Sequence, residues 1–299
     1  MEWTITDSLD RFEAEAGGFL GADPARNTVL LSVCAALRRR GPGAYGPLPP
    51  VFGWWRGSGG AVEAAFLRTP PHPLLLTGGT PESARALAAG PAGAQEAVRG
   101  ERQAVLAFAE AWRQRTGGQV VAGRDTRLYR LAELIPRPMT PPGAARTAGP
   151  ADRALVLRWE AEFARDVGAQ TPGGQGAVDD ALSRGGRVLW ELPGGEPVSM
   201  AGWTPPADGT SRVVAVYTPS GRRGRGYAGA VVGAVSRAAL AAGAGEVVLF
   251  TDLANPVSNG LYRKLGYVPV GDFAERILRG AGFSTGDGAG AGGGEISAA

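Results

Sequence analysis

The segment Gly221-Arg222-Arg223-Gly224-Arg225-Gly226 combines glycine and arginine in a way that could bind an anion. It lies between the apolar run 213–217, which has the pattern of a β-strand, and an alanine- and valine-rich helix predicted from about Tyr227 to Ala242. Glycines let successive backbone amides turn toward one point, because no Cβ stands in the way. The helix adds its own free amides and the positive end of its dipole. A phosphate or a pyrophosphate fits this chemistry, and Arg223 and Arg225 would reinforce its binding by charge.

Two known nucleotide-binding loops can be compared with this one. A Walker loop requires a lysine followed by serine or threonine after its second glycine, and Tyr227-Ala228 stands there instead, which excludes that loop. The run 224–229 does match the dinucleotide pattern G-x-G-x-x-G. However, residues 219–223 separate it from its strand, and too little chain follows Asp252 for the remaining strands of such a sheet. A plain structural glycine turn stays open for the loop taken alone.

A second polar segment follows the next apolar run, 247–250. It reads Asn255-Pro256-Val257-Ser258-Asn259-Gly260-Leu261-Tyr262, and Leu265-Gly266-Tyr267 come after it. Tyr262 has an unperturbed pKa of about 10, so its hydroxyl could protonate a departing thiolate. The spacing from Tyr262 to Leu265 also fits an aromatic side chain that only packs its helix on the sheet.

Composition excludes several other kinds of site. His72, the single histidine, lies between two prolines, and Cys34, the single cysteine, lies in an apolar helical run. A disulfide within the chain and a cysteine-based zinc site are therefore excluded, and we expect no metal. The net charge of +3 comes without a broad basic face interleaved with aromatics, so no nucleic-acid partner is predicted. No apolar run approaches the roughly 18–20 residues of a membrane span, and no secretion signal begins the chain, so we expect a cytoplasmic protein.

The elements that must position the two polar segments form a strand-loop-helix-strand unit. A right-handed crossover would place 213–217 and 247–250 side by side and parallel, with both segments at the carboxyl ends of the strands. Upstream, Arg187–Trp190 and Pro197–Trp203 are predicted as two strands joined by a tight turn at Pro193-Gly194-Gly195-Glu196. In the first half of the chain, a helix is predicted from Asp23, with Pro24 in its first position, to Arg40.

The two segments together resemble the GNAT superfamily of N-acetyltransferases. The matching residues are Val216-Tyr217-Thr218-Pro219, then Arg223-x-x-Gly226-x-Ala228, and then Asn255-Pro256-x-Ser258-Asn259-x-x-Tyr262, in the order and at the spacing of the family. The resemblance covers 213–270 and extends back to about Ala145. Residues 1–140 show a similar run of elements without the glycine loop and resemble a degenerate second GNAT-like domain. Prolines between 136 and 142 predict the junction, the catalytic domain is predicted at 145–279, and the glycine-rich tail 280–299 is predicted to be disordered.

The resemblance implies a fold class, a cofactor and a set of roles. It implies two α/β domains, each with a mixed, mostly antiparallel sheet, one parallel pair and flanking helices, and it implies acetyl-CoA as the cofactor. The edge formed by Val216, Tyr217 and Thr218 would pair with the pantetheine arm. The backbone amides around the loop would bind the pyrophosphate, namely those of Arg223, Gly224, Arg225, Gly226, Tyr227 and Ala228. Asn255, Ser258 and Asn259 would lie along the CoA, and Tyr262 would lie near its sulfur.

The predicted activity is the direct transfer of an acetyl group from acetyl-CoA to a primary amine. Tyr262 is the candidate acid, and Glu191, at the end of the first hairpin strand, is a candidate base. Asp179, Asp180 and a water relay stay open as alternatives to Glu191. A non-catalytic acyl-CoA-binding regulatory or interaction module is the alternative function. We expect an amine-bearing acceptor, with a small molecule favoured, and a homodimer stays open.

Overall fold

The structure is a computed structural model, and it describes residues 2–90, 96–136, 139–167 and 175–280. The chain packs into two compact units. The first comprises Met1–Thr126 together with a return segment that begins at Gly271, and the second comprises Arg127–Val270. The boundary after Thr126 thus precedes the proline-rich junction predicted at 136–142. The predicted tail, 280–299, lies outside the described residues except for Gly280.

The two units have similar orders of helices and strands. The elements that start in the first unit are β1 (Trp3–Thr6), α1 (Leu9–Gly21), α2 (Thr28–Arg40), β2 (Val51–Arg56), β3 (Val62–Arg68), β4 (Leu74–Gly78), α3 (Pro81–Ala88), β5 (Ala97–Glu101), α4 (Arg102–Thr116), β6 (Gln119–Ala122) and β7 (Thr126–Leu131). Those that start in the second are β8 (Ala144–Thr147), α5 (Arg153–Asp166), α6 (Gln175–Ser183), β9 (Arg187–Glu191), β10 (Pro197–Trp203), β11 (Thr210–Tyr217), α7 (Tyr227–Ala241), β12 (Glu246–Asp252), α8 (Pro256–Lys264) and β13 (Tyr267–Arg279).

Each unit forms a mixed sheet that contains a parallel pair of strands. In the first unit the strand order is β1-β2-β3-β4-β5, followed by the return part of β13 and then β6. In the second unit the order is β8-β9-β10-β11-β12-β7, followed by the start of β13. The parallel pairs are β4–β5 and β11–β12, whereas β1 to β4 and β8 to β11 are joined antiparallel. The predicted fold class, the predicted hairpin and the predicted parallel pair are confirmed.

Alternation along the strands of the second unit buries both faces of its sheet. Val213 belongs to a core cluster with α7 and α8, whereas its neighbour Val214 belongs to a cluster with α5 and α6. Successive side chains of a strand point to opposite faces of the sheet, so the apolar run of β11 contributes side chains to the hydrophobic cores on both faces. Trp159 of α5 is buried in the second of these clusters.

The helix α2 begins four residues after Pro24, the residue predicted as its first position. The predicted start at Asp23 is wrong, since residues 24–27 form turns and the helix begins at Thr28. The Asp23 carboxylate accepts hydrogen bonds from the Arg26 backbone nitrogen, at 3.0 Å, and from Arg26 Nε, at 3.1 Å. This is the hydrogen bond of an N-capping aspartate, but here it caps only the turn 24–27, after which α2 begins.

The strand β7 joins the second sheet from a distant part of the chain. It lies between β12 and the start of β13, although it precedes the first strand of the β8-to-β12 series in sequence. Its residues Tyr129 and Leu131 contribute to the same core cluster as α7 and α8. The second unit is therefore assembled from more than the segment 145–279 that the sequence indicates.

A buried ion pair ties α5 to the sheet of the second unit. Arg187 Nη2 and Nε donate to Glu160 Oε1 at 2.7 and 3.0 Å, and the two side chains are 8% and 9% exposed. Gly202 leaves room for this arginine, because a Cβ there would lie 2.5 Å from Arg187 Nη1. The pair compensates two charges that would each be costly to bury alone.

Replacing one partner of this pair should destabilise the second unit more than replacing both. We expect Glu160→Met to lower the free energy of unfolding by about 3–5 kcal/mol, because it leaves the Arg187 charge buried without a partner. The double variant Glu160→Met/Arg187→Met, with similar volume and no buried charge, should lose less. Urea unfolding followed by tryptophan fluorescence measures both. A double variant less stable than the single one would contradict this account.

Candidate functional site

The parallel strands β11 and β12 separate toward their carboxyl ends. Thr210, Ser211 and Arg212 lie opposite Glu246, Val247 and Val248, and β11 has no further register partner on β12 among the described residues. On its other side β11 has a bulge, because Met200 pairs with Tyr217 and Gly202 pairs with Val214, which leaves one extra residue on β11. Ala215, within this bulge, has φ +52°, in the left-handed region. The backbone edge at Val216 and Tyr217 is thus open on the β12 side.

The glycine loop leads from this open edge into the N-terminus of α7. Gly224 and Gly226 have φ values of +75° and +86°, which glycine adopts without strain. No side chain caps α7, so the first-turn amides of Tyr227, Ala228 and Gly229 have neither a cap nor an acceptor within the helix. Free amides at a helix N-terminus next to a glycine-rich turn form an anion-binding site. The predicted phosphate loop therefore has the local geometry that this chemistry requires.

The corresponding helix of the first unit is closed to an anion. There β4 leads to α3 through Gly79 and Thr80, and Thr80 and Ser83 form a reciprocal capping box at the start of α3. At the end of β4, Glu101 Oε1 accepts from the backbone nitrogen of Gly78 at 3.1 Å. A protein carboxylate and a capping box thus satisfy backbone amides at this end of the sheet.

The three loop arginines differ in how their charges are balanced. Arg222 forms an ion pair with Glu196, and Arg223 forms one with Asp166 and also donates to the Thr218 carbonyl at 2.9 Å. Arg225 is exposed and forms no ion pair with any other residue that the structure describes. Arg225 is therefore the loop cation whose charge is available to a ligand.

Tyr217 and Thr218, at the end of β11, are held by polar contacts. The Tyr217 hydroxyl donates to Glu162 Oε2 at 2.9 Å, and burial, with Glu162 adding to it, raises the pKa of Tyr217 to about 12. Ser199 Oγ lies 3.0 Å from the Tyr217 carbonyl oxygen and 2.8 Å from Thr218 Oγ1. The contact of Glu162 with Tyr217 could not be predicted from the sequence, because it depends on Tyr217 pointing toward α5 in the folded protein.

The polar residues at the start of α8 divide into exposed and buried ones. Asn255 caps the helix by accepting from the Ser258 backbone nitrogen at 3.0 Å, and it is exposed. Asn259 is buried, and its Nδ2 donates to the carbonyl oxygens of Asp252 and Asn255 at 2.8 and 2.7 Å. Asn259 Oδ1 accepts from the Tyr129 hydroxyl at 2.9 Å. Asn255 and Ser258 thus lie at the first turn of α8, whereas the side chain of Asn259 is bound within the protein.

Tyr262 lies one turn further along α8 and is buried between two other tyrosines. Its ring centroid is 6.5 Å from that of Tyr129 and 6.0 Å from that of Tyr267. Burial raises the pKa of the Tyr262 hydroxyl above its ordinary value, and Tyr267 adds to the effect. The hydroxyl has no hydrogen-bond partner within the described part of the chain. Tyr262 therefore packs in the core and also keeps a protonated hydroxyl at neutral pH.

Each carboxylate predicted as a base is paired with an arginine. Glu191 Oε2 accepts from Arg146 Nε at 2.6 Å, and Arg146 also contacts Asp152. The remaining pairs are Asp179 with Arg153, at 2.6 Å, and Asp180 with Arg184, at 3.3 Å. The hydrogen bond from Arg153 holds the pKa of Asp179 below its usual value. Asp179 is therefore a weaker base than a free carboxylate, because Arg153 favours its charged form.

These features coincide with a family match. The model of the acetyltransferase (GNAT) family matches residues 156–267, which include the open edge, the glycine loop and α8. This segment is a GNAT domain. No curated protein matches the chain.

Several solved structures are similar in fold to most of this chain. A Drosophila protein is 13% identical, with a TM-score of 0.64 over 92% of this chain and 98% of that one. A GNAT-family acetyltransferase from Colwellia psychrerythraea is 10% identical, with a TM-score of 0.57 over 93% and 100%. A GCN5-related N-acetyltransferase from Sphaerobacter thermophilus is 18% identical, with a TM-score of 0.54 over 86% and 92%. At these identities the likeness concerns the fold alone.

None of the described helices is long and apolar enough to cross a membrane. Within the same residues, no group of three or more histidine, cysteine, aspartate or glutamate side chains could hold a metal ion.

Replacing Arg225 should weaken the binding of a phosphate-bearing ligand at the loop. We expect Arg225→Ala to raise the Kd for CoA about five- to tenfold, since an exposed charge-assisted contact is worth on the order of 1 kcal/mol. The effect should shrink at high salt because salt screens exposed charges. Titration calorimetry at low and high salt measures it.

Arg237→Ala is the matched control for this experiment. It removes the same charge from an exposed position on α7, ten residues after Tyr227 and so about 15 Å along the helix. This variant should keep the affinity of the wild type. Equal losses in the two variants would mean that net charge, and not the loop, attracts the ligand.

Proposed function

We propose that the second unit transfers an acetyl group from acetyl-CoA directly to a primary amine. The observation that carries the proposal is the opening between β11 and β12, because α7 and α8 both begin beyond the carboxyl ends of these strands. Ligands of α/β sheets bind at such ends. The opening combines an unpaired strand edge with uncapped helix amides, and the GNAT family match spans both and also includes Tyr262.

The residues present fit acetyl-CoA. The uncapped amides of Tyr227, Ala228 and Gly229, with Arg225 beside them, suit a pyrophosphate. The open edge at Val216 and Tyr217 suits an extended amide-bearing arm, which can pair with a strand as another strand would. Bound acetyl-CoA would supply the thioester that the amine attacks.

The protein needs to contribute little beyond position and two hydrogen bonds. A free backbone N–H on the β11 edge can donate to the thioester oxygen as negative charge develops on it. Tyr262 can donate its proton to the departing sulfur, because its hydroxyl is protonated and has no partner within the described residues. Alignment of the two reactants accounts for much of the remaining acceleration.

A non-catalytic acyl-CoA-binding module is the second candidate. Its support is that the carboxylates predicted as bases, Glu191, Asp179 and Asp180, each form an ion pair with an arginine. Under the first candidate the amine attacks as its neutral form and gives up one proton to water as the amide forms. Solvent then returns a proton to Tyr262 after Tyr262 has protonated the departing sulfur. A small-molecule acceptor, a homodimer and a cytoplasmic location belong to the proposal.

Thiol release separates the two candidates. We expect the wild type to release free CoA from acetyl-CoA when primary amines are added, and to release none with tertiary amines, which cannot form a stable amide. Colorimetric thiol detection with a panel of polyamines, amino acids, amino sugars and lysine peptides measures this. Binding of acetyl-CoA without release by any amine would support the module, and absence of binding would overturn both candidates.

Removing the Tyr262 hydroxyl should lower turnover and leave donor binding intact. We expect Tyr262→Phe to reduce kcat about a hundredfold, the lower end of general acid contributions, while the Kd for acetyl-CoA changes less than about twofold. Tyr267→Phe, which removes a neighbouring buried hydroxyl, is the control and should retain activity. Parallel losses of kcat and affinity in Tyr262→Phe would show that Tyr262 holds the fold of the site and is not the acid.

The pH dependence should follow the acceptor and not Tyr262. The raised pKa keeps Tyr262 protonated above pH 10, so activity should rise as the acceptor amine loses its proton and should not fall before about pH 10. Rates measured between about pH 6 and pH 10 test this. A descending limb below about pH 9.5 that disappears in Tyr262→Phe would mean that its pKa is not raised.

A further inference from the structure

We propose that Tyr129 holds helix α8 in place and thereby positions Tyr262. The inference rests on the proposed function, since it concerns the orientation of the acid. Tyr129 lies on β7, outside the segment 156–267 that matches the family, and it is fully buried in the second unit. It would act through other residues and would not touch the reacting atoms.

A single hydroxyl joins β7 to two successive turns of α8. The Tyr129 hydroxyl donates to Asn259 Oδ1 at 2.9 Å and accepts from Arg263 Nε at 3.3 Å. Asn259 and Arg263 are four residues apart, so they lie on one face of the helix, and Tyr262 is adjacent to Arg263. Two contacts one turn apart fix the rotation of a helix about its axis better than one contact can.

Tyr129 also completes the hydrogen bonding of Asn259. The Asn259 amide nitrogen is already used by the carbonyl oxygens of Asp252 and Asn255, where β12 ends and α8 begins. Its oxygen then needs a donor, which Tyr129 supplies. Without that donor a buried acceptor would be left unpaired, which favours local rearrangement at the start of α8.

The orientation of Tyr262 depends on this support. Its hydroxyl has no hydrogen bond to the described residues, so only ring packing and the position of α8 fix its direction. A misplacement of about 1 Å can cost about a hundredfold in rate. Tyr267, which packs against the Tyr262 ring at 6.0 Å, bonds through its own hydroxyl to Ser236 on α7 at 2.8 Å, and so not to α8.

The difference between the two neighbours of Tyr262 provides a matched pair of variants. Tyr129→Phe and Tyr267→Phe each remove one buried, hydrogen-bonded hydroxyl beside Tyr262 and leave an aromatic ring in place. Only the first removes bonds to α8. Full-length proteins are compared by hydrogen exchange of the peptide 255–265, by kcat and KM in the thiol-release assay, and by melting temperature.

We expect Tyr129→Phe to accelerate exchange in this peptide at least about fivefold and to lower kcat about five- to twentyfold, because α8 becomes freer and Tyr262 is displaced. Its KM for acetyl-CoA should change less than about twofold. Tyr267→Phe should retain the exchange and the kcat of the wild type, at a similar loss of melting temperature.

Three outcomes would overturn the proposal. These are equal exchange in the two variants, faster exchange in Tyr129→Phe without a fall in kcat, and a fall in kcat that Tyr267→Phe reproduces. Failure of the proposed function looks different, because the wild type would then release no thiol with any amine. In that case the exchange comparison still shows whether Tyr129 holds α8, and equal exchange would overturn the inference.

Discussion

The early end of the pairing between β11 and β12 is the constraint on which the site depends. The two strands are paired in parallel at three residue positions, which end at Arg212 on β11. Beyond Arg212, β11 has a bulge at Ala215 and no longer pairs with β12. A sheet normally satisfies its backbone groups internally, so an interrupted pair leaves donors and acceptors that water or a ligand must satisfy. The helices α7 and α8 begin at this interruption and complete the candidate site. Most of the groups that this site offers to a ligand are backbone amides and carbonyls.

The two units show how few residues separate a helix start that can bind an anion from one that cannot. In the first unit a capping box at Thr80 and Ser83 satisfies amides of the class that α7 leaves free, and Glu101 binds the amide of Gly78 at the end of β4. The strand orders are alike, and the difference lies in a few residues at one end. Fold likeness to solved acetyltransferases therefore describes both units, whereas the chemistry of a site can be argued for the second alone.

Local patterns made the second unit largely predictable. The apolar runs, the hairpin turn and the spacing from the loop to Tyr262 lie within neighbouring residues, so sequence alone indicates the parallel pair and the helix starts. The positions of β7 and β13 within the sheets could not be assigned in this way, because each joins a sheet through partners distant in sequence. The ion pairs of Glu191, Asp179 and Asp180 were equally hidden, since pairing depends on which arginine the fold brings near. The role of Tyr129 could not be predicted from the sequence, because it depends on a hydrogen bond to Asn259, which is 130 positions away.

The return segment has a consequence for how the protein is made. Residues 273–277 of β13 pair with β5, and Arg276–Arg279 pair with β6, so the sheet of the first unit lacks a strand between β5 and β6 until that segment exists. Domains usually fold as units from the N-terminus while the ribosome is still extending the chain. Here the first unit is begun early, but its sheet cannot be completed until translation has passed Arg279. Its partly formed sheet must remain soluble through the synthesis of the entire GNAT domain.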